Sequence, residues 1–183
     1  MMTVCGNCHT LCTANAYSIE EQRAAKYQPK NITDDFTRGQ LFTNNNDLIV
    51  HLAGGTAINT PSLLAVGDTD VVKVEKAPDG RLLVSALVQN EDGQTIAHLH
   101  ENEWSASHTE VWDFEAYPKR TIVRTAPRKI SFEVDARNDE IELKGTWFLQ
   151  GQKIDFTPTK CLVGNMQIVG FRTENCSRFL QIN

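Results

Sequence analysis

No run of about 18 consecutive apolar residues occurs in this chain, so no membrane-spanning helix is expected. The opening residues have no basic segment leading into an apolar one. They therefore do not read as a secretion signal, and a cytoplasmic protein is expected. Positive charge is scarce, with 18 Lys and Arg against 23 Asp and Glu and a formal charge of -5. A general attraction to nucleic acid is thereby excluded, and any contact with an anionic polymer must come from a local basic region. Several catalytic signatures are missing: a phosphate-cradling glycine loop, a Gly-x-Ser-x-Gly elbow and a His-Glu-x-x-His helix. The carboxylates are plentiful but scattered, and no acid and base pair stands out.

What is present is mostly extended chain. In "KISFEVDAR", Ile130, Phe132, Val134 and Ala136 fall on one face and Ser131, Glu133, Asp135 and Arg137 on the other, the pattern of a strand with one side buried. "RLLVSALVQ" repeats it with Leu82, Val84, Ala86 and Val88, and in "EVWDFEA" the buried set is expected to be Trp112, Phe114 and Ala116. Turn chemistry separates such runs at 78–80 (PDG), 91–93 (EDG), 137–139 (RND) and 150–152 (QGQ). The adjacent glycines of "LAGGT" at 52–56 read as a further turn. These signals predict an all-β fold of roughly eleven or twelve short, mostly antiparallel strands. A sandwich, a barrel and a β-solenoid or prism all fit, the last because "GGTAINTPSLL" and "GNMQIVGF" resemble solenoid corners. The sheet edges of such a body need cover, by closure or by oligomerisation, and a homo-oligomer is expected.

The front of the chain differs in texture. Ser18 with Glu21 forms a capping box, good helix formers follow to Gln28, and Pro29 is a stop, which predicts one short N-terminal helix. A division into residues 1–31 and a β-rich body of residues 32–183 is expected. Three of the five cysteines crowd into this first segment, as Cys5, Cys8 and Cys12, with His9 beside them. An odd, clustered set in a chain without an export signal points to metal before it points to disulfides. Two thiolates on a tight knuckle supply half of a tetrahedral zinc shell, and His9, Cys12, Cys161 or Cys176 are candidates for the remainder. The same "CGNCH" matches a haem-attachment pattern locally, but haem needs a helical apolar pocket that this sequence lacks, and none is expected.

The segment "VCGNCHTLCTANAYSIEEQRAAK" resembles the C-terminal half of an HNH endonuclease domain, in which a short strand leads into Cys-x-x-Cys-His, a turn and a helix. The resemblance covers about residues 3–28. It implies that Cys5 and Cys8 are structural zinc ligands and that His9 belongs to the motif. The family's upstream cysteine pair, first catalytic histidine and asparagine are absent, and the histidine expected four residues beyond His9 is Thr13. The resemblance therefore implies a truncated half-domain that does not itself hydrolyse DNA, because a zinc knuckle alone does not generate a nucleophile. It leaves open that the chain is a component of a metal-dependent HNH-type nuclease. The β-rich remainder is similar to domains found behind HNH modules, which adds no activity.

Two further sites are candidates. In "HLHENEWSASHTE", His98 and His100 point to one side of a strand with Glu103, His108 and Glu110 close in sequence, a set from which a metal site can be built. The spacing resembles a first cupin motif, short by one residue in two places and without a second motif. In "YPKRTIVRTAPRKI", Lys119, Arg120, Arg124, Arg128 and Lys129 occur with no acid among them. Such a strip suits phosphate or carboxylate, and it equally suits acids on neighbouring strands such as Glu115, Glu133 and Asp135. The expected function is a binding or assembly domain carrying an HNH-like zinc knuckle.

Overall fold

The computed structural model describes residues 18–20, 23, 36–43, 47–107, 109–138, 140–149 and 152–182. The zinc-knuckle residues Cys5, Cys8, His9 and Cys12 lie outside the described residues, as does His108. Of the helix expected over residues 18–28, only Ile19, Glu20 and Arg23 are described with helical backbone, so no complete helix is seen there. The chain divides into a unit of residues 1–36 and a larger unit, Thr37–Asn183, that holds nearly all of the described strands.

The larger unit is all-β. The first strands are β1 (Phe36–Gln40), β2 (Ile49–Leu52), β3 (Gly55–Ile58), β4 (Ser62–Val66), β5 (Thr69–Lys76), β6 (Leu82–Gln89), β7 (Thr95–His100) and β8 (Glu103–Ser107). After them come β9 (Asp113–Tyr117), β10 (Arg120–Ala126), β11 (Lys129–Asp135), β12 (Ile141–Leu149), β13 (Gln152–Phe156), β14 (Cys161–Val163), β15 (Met166–Ile168), β16 (Arg172–Glu174) and β17 (Arg178–Ile182). A seven-stranded sheet runs β1-β8-β7-β6-β5-β4-β17. A ten-stranded sheet runs β15-β14-β13-β12-β11-β10-β9, with β2 beside β12, β3 beside β2 and β16 beside β3.

Most neighbours are sequential hairpins, as the turn signals require. Gly80 and Gly93 hold positive φ (86° and 77°) in the predicted turns, a conformation glycine adopts without steric cost. Both sheets are nevertheless mixed, because three of the described pairings are parallel: β17 with β4, β2 with β12, and β16 with β3. None of these has a local turn to announce it. β12 serves two partners along one edge, β2 over Ile141–Leu143 and β13 over Gly145–Leu149.

The core lies where apolar alternation predicts for β6 and β11. Leu82, Val84, Ala86 and Val88 are buried, as are Phe132, Val134 and Ala136, while Ile130 is half-buried. The expectation for "EVWDFEA" fails. Trp112 is 58% exposed, Ala116 is exposed and Phe114 is half-buried. Trp112 precedes β9, and among the described residues β9 is an edge strand with only β10 beside it, so one flank of this segment has no described strand to cover it.

Aromatic rings tie the two sheets together. Trp104 of β8 meets Phe114 of β9 at 5.9 Å and Phe132 of β11 at 5.5 Å, measured between ring centroids. Phe132 then packs edge-on to Trp147 at 5.1 Å, and Trp147 to Phe156 at 5.0 Å. Gly145 stands in register between Phe132 and Phe156, and there the β12 backbone comes close to that of β11. A Cβ there would fall 2.4 Å from the Ser131 carbonyl oxygen, and φ is +152°.

Asn102 holds the end of the β7–β8 hairpin. The two-residue loop Glu101–Asn102 has both φ positive (47° and 73°), the type I′ geometry that matches strand twist. The Asn102 side chain then acts as a short substitute strand against β6. Its Oδ1 accepts from Val84 N–H and its Nδ2 donates to the Leu82 carbonyl, both at 2.8 Å. Both groups are buried; removing the amide leaves the Val84 N–H unpaired at about 1–3 kcal/mol, while the Leu82 carbonyl still accepts from the Thr43 hydroxyl. Asn102→Gly is expected to lower stability in urea unfolding by about 2 kcal/mol. Asn102→Ala should lose about 1 kcal/mol more, because a Cβ is strained at this φ. Equal midpoints for the two variants would refute the backbone part of this account.

Candidate functional site

The basic strip of β10 and its flanks is matched by acids across neighbouring strands. Arg120 Nη2 lies 2.6 Å from Glu133 Oε1, and Arg120 Nε lies 3.8 Å from Asp135. Arg124 reaches Glu115 at 2.8 Å and Asp113 at 3.6 Å. Lys129 lies 3.6 Å from Glu91 and 5.9 Å from the centre of the Phe148 ring. Arg128 takes the left-handed position (φ 64°) of the turn between β10 and β11. The register explains the matches, since Asp135 and Asp113 stand directly opposite Arg120 and Arg124, and Glu133 and Glu115 one step along the same faces.

Glu133 is the unusual member, only 1% exposed although it lies on the face away from the core. Arg120 and Lys144 cover it, with Lys144 Nζ 3.3 Å from Oε2, which has no hydrogen-bond partner among the described residues. Arg120 donates the hydrogen bonds that Glu133 accepts, and breaking a buried pair costs up to about 3–5 kcal/mol, reduced here by the Lys144 cation that stays, whereas a more exposed pair is worth under about 1 kcal/mol. Arg120→Ala should therefore destabilise the protein several-fold more than Arg124→Ala in denaturant titrations. Similar losses would show that Glu133 does not depend on Arg120.

Hydrogen bonds from Arg124 hold the Glu115 carboxyl below its ordinary range, and those from Arg137 do the same for Asp135. Each binds its proton less tightly folded than unfolded. Its contribution to stability is complete above the ordinary carboxylate range, about pH 4, and drains away as pH falls below it. Arg124→Ala should make the acid limb of the stability curve shallower between about pH 5 and pH 2. An unchanged limb would contradict the assignment.

The histidine pair of β7 has its rings stacked 5.8 Å apart on the exposed face, and Glu103 stands opposite His100 in register. Glu110 instead accepts a hydrogen bond from Asn90 at 3.3 Å. Among the described residues no group of three His, Cys, Asp or Glu is arranged to hold a metal ion. Cys161 is buried in β14, where desolvation pushes its thiol up to about 12, so it stays protonated at neutral pH. Cys176 is exposed and its Sγ lies 3.5 Å from the Glu174 carbonyl.

A different cluster gathers at the β2–β3 hairpin. Alternation in "IVHL" sends Val50 and Leu52 to the core and His51 outward. His51 stands opposite Thr56 across the hairpin and beside Glu142 across the parallel pairing with β12. Its Nδ1 lies 3.2 Å from Thr56 Oγ1, and its Nε2 makes a short hydrogen bond with Glu140 Oε2. These groups border a recess of about 320 Å³ lined by His51, Leu52, Gly54, Thr56, Glu142 and Pro158 among others.

The two glycines of "LAGGT" do more than turn the chain. Ala53 and Gly54 both hold positive φ (55° and 71°). A Cβ on Gly54 would lie 2.4 Å from the Thr159 carbonyl oxygen, and one on Gly55 would lie 2.3 Å from that of Phe171. Backbone thus packs directly on backbone here, and the recess wall is rigidly placed. The sequence showed the turn but not the site, because Glu140 is 89 residues from His51 and a parallel pairing brings them together.

Comparison with protein-family models finds no match for this chain, and comparisons with curated proteins and with solved structures find none either.

Proposed function

We propose that the β-rich body is a binding domain and that its ligand is a small polar molecule taken up in the recess at the β2–β3 hairpin. The observation that carries this reading is His51, held at both ring nitrogens beside a concavity within the size range of small-molecule sites. A side chain restrained in this way is preorganised, so a ligand need not supply the entropy of fixing it. The internal pairing of Arg120 and Arg124 leaves less positive charge for an anionic polymer, which ranks nucleic acid behind a small ligand. We read the two sheets as a sandwich on the strength of the Trp104 contacts. The test is a titration of the labelled full chain with a panel of small amines, polyols and amides, followed by amide NMR. Shifts should concentrate at residues 51–56, 140–143 and 158. Shifts confined to any other surface, or none across the panel, would overturn the reading.

For residues 1–31 we propose a structural zinc knuckle built on Cys5 and Cys8, with His9 and Cys12 adjacent, as the HNH resemblance implies. A homo-oligomer or another protein would complete the four-ligand shell. The same resemblance supports a second reading, in which this chain is one component of an HNH-type DNA endonuclease. Metal analysis of the purified protein should find about one zinc per chain, lost in the Cys5→Ser, Cys8→Ser double variant. Zinc retained by that variant would move the site elsewhere, with His98, His100 and Glu103 the next set to replace.

A further inference from the structure

In the neutral imidazole, the form that can take up a proton, the hydrogen bonds around His51 run in one direction. An ionised carboxylate only accepts, so the Nε2 that meets Glu140 carries the ring proton. Nδ1 is then left with its lone pair, and the Thr56 hydroxyl 3.2 Å away is the donor. A hydroxyl that donates to an imidazole, itself oriented by a carboxylate, is the arrangement by which a weak nucleophile is activated. Thr56 also lines the recess, and β3 holds it in place through its backbone N–H, which donates to the Phe171 carbonyl at 3.0 Å.

Resting on the reading of this recess as the binding site, we propose that Thr56 is an acyl acceptor for an ester or thioester ligand bound there. Thr56 Oγ1 attacks the carbonyl carbon while its proton passes to His51 Nδ1. The bond from that carbon to the alkoxy oxygen, or to the thioester sulfur, breaks. The departing alcohol or thiol takes the proton from Nδ1, leaving an O-acyl threonine and a neutral histidine. Water can then repeat the sequence and release the acid, with no change in oxidation state at any step. Glu140 remains ionised throughout and is a positioning residue, since it keeps Nδ1 aimed at Thr56 and stabilises the imidazolium that forms between the two transfers.

His51 and Glu140 are about half exposed, with side-chain accessibilities of 41% and 47%, so water weakens the relay relative to a closed site. An activated ester is therefore the right probe, because its leaving group needs little assistance. The full chain is incubated with p-nitrophenyl acetate and acetylated positions are mapped by peptide mass spectrometry. Thr56 should be acetylated, and Thr56→Ser should label at the same position. His51→Gln and Glu140→Gln should label about tenfold more slowly or worse, in line with the loss of general-base assistance. Glu140→Asp should recover part of the rate, which a merely structural role would not produce. All variants are compared at matched folded fraction by thermal melting.

Acetyl groups found only on lysines or the N-terminus would overturn the proposal, as would Thr56 labelling that is indifferent to Glu140→Gln. The NMR titration separates this failure from that of the binding reading. If panel compounds shift residues 51–56 while Thr56 stays unlabelled, only the acyl-acceptor assignment falls.

Discussion

Phe132 packs between Trp104 and Trp147, and much else in the β body depends on that contact. One tryptophan belongs to the seven-stranded sheet and the other to the ten-stranded sheet, so the central ring joins them. Aromatic pairs of this kind, one tilted and one edge-on, add about 0.5–1.5 kcal/mol per pair beyond burial itself. Beside Phe132, Gly145 lets the β12 backbone approach β11 closely, where a Cβ would meet the Ser131 carbonyl and the Phe132 backbone. The ladder has a cost as well, since both indole N–H groups are buried without a hydrogen-bond partner among the described residues. Apolar burial and ring contact outweigh that loss, and in a close-packed interior the result is a rigid join.

Rigidity on the core side places the groups on the opposite face. Strands β9 to β13 carry alternating charges outward, and because their inward residues are locked, the outward ones meet partners at fixed distances. Glu133 becomes buried under Arg120 and Lys144 for this reason. The strip that looked like a surface for anions is therefore also a cross-strand network, and its charge is largely spent on neighbours. His51 and Glu142 extend the same face where β2 joins β12.

The recess depends on the parallel pairings that join the β2–β3 hairpin to the rest of the ten-stranded sheet. β2 lies parallel to β12, and β16 lies parallel to β3. The first brings Glu140 and Glu142 to His51, and the second brings the Phe171 carbonyl against Gly55. Asn102 obeys the same principle in the other sheet, where a side chain supplies hydrogen bonds that a strand would otherwise make. In both places, polar groups far apart in the chain complete backbone that local structure leaves open.

Extended segments with one buried face were legible without coordinates, because a strand's period of two is written into every few residues. The alternation of Leu82, Val84, Ala86 and Val88, and the turn glycines Gly80 and Gly93, needed no partner to be recognised. The same local rule misplaced Trp112, since alternation reports which residues share a side and not whether a neighbouring strand will cover it. Parallel pairing, the burial of Glu133 and the meeting of His51, Thr56 and Glu140 were decided only by the tertiary structure. Each depends on which distant segment lies alongside, and that choice is settled by the packing of whole sheets around Phe132.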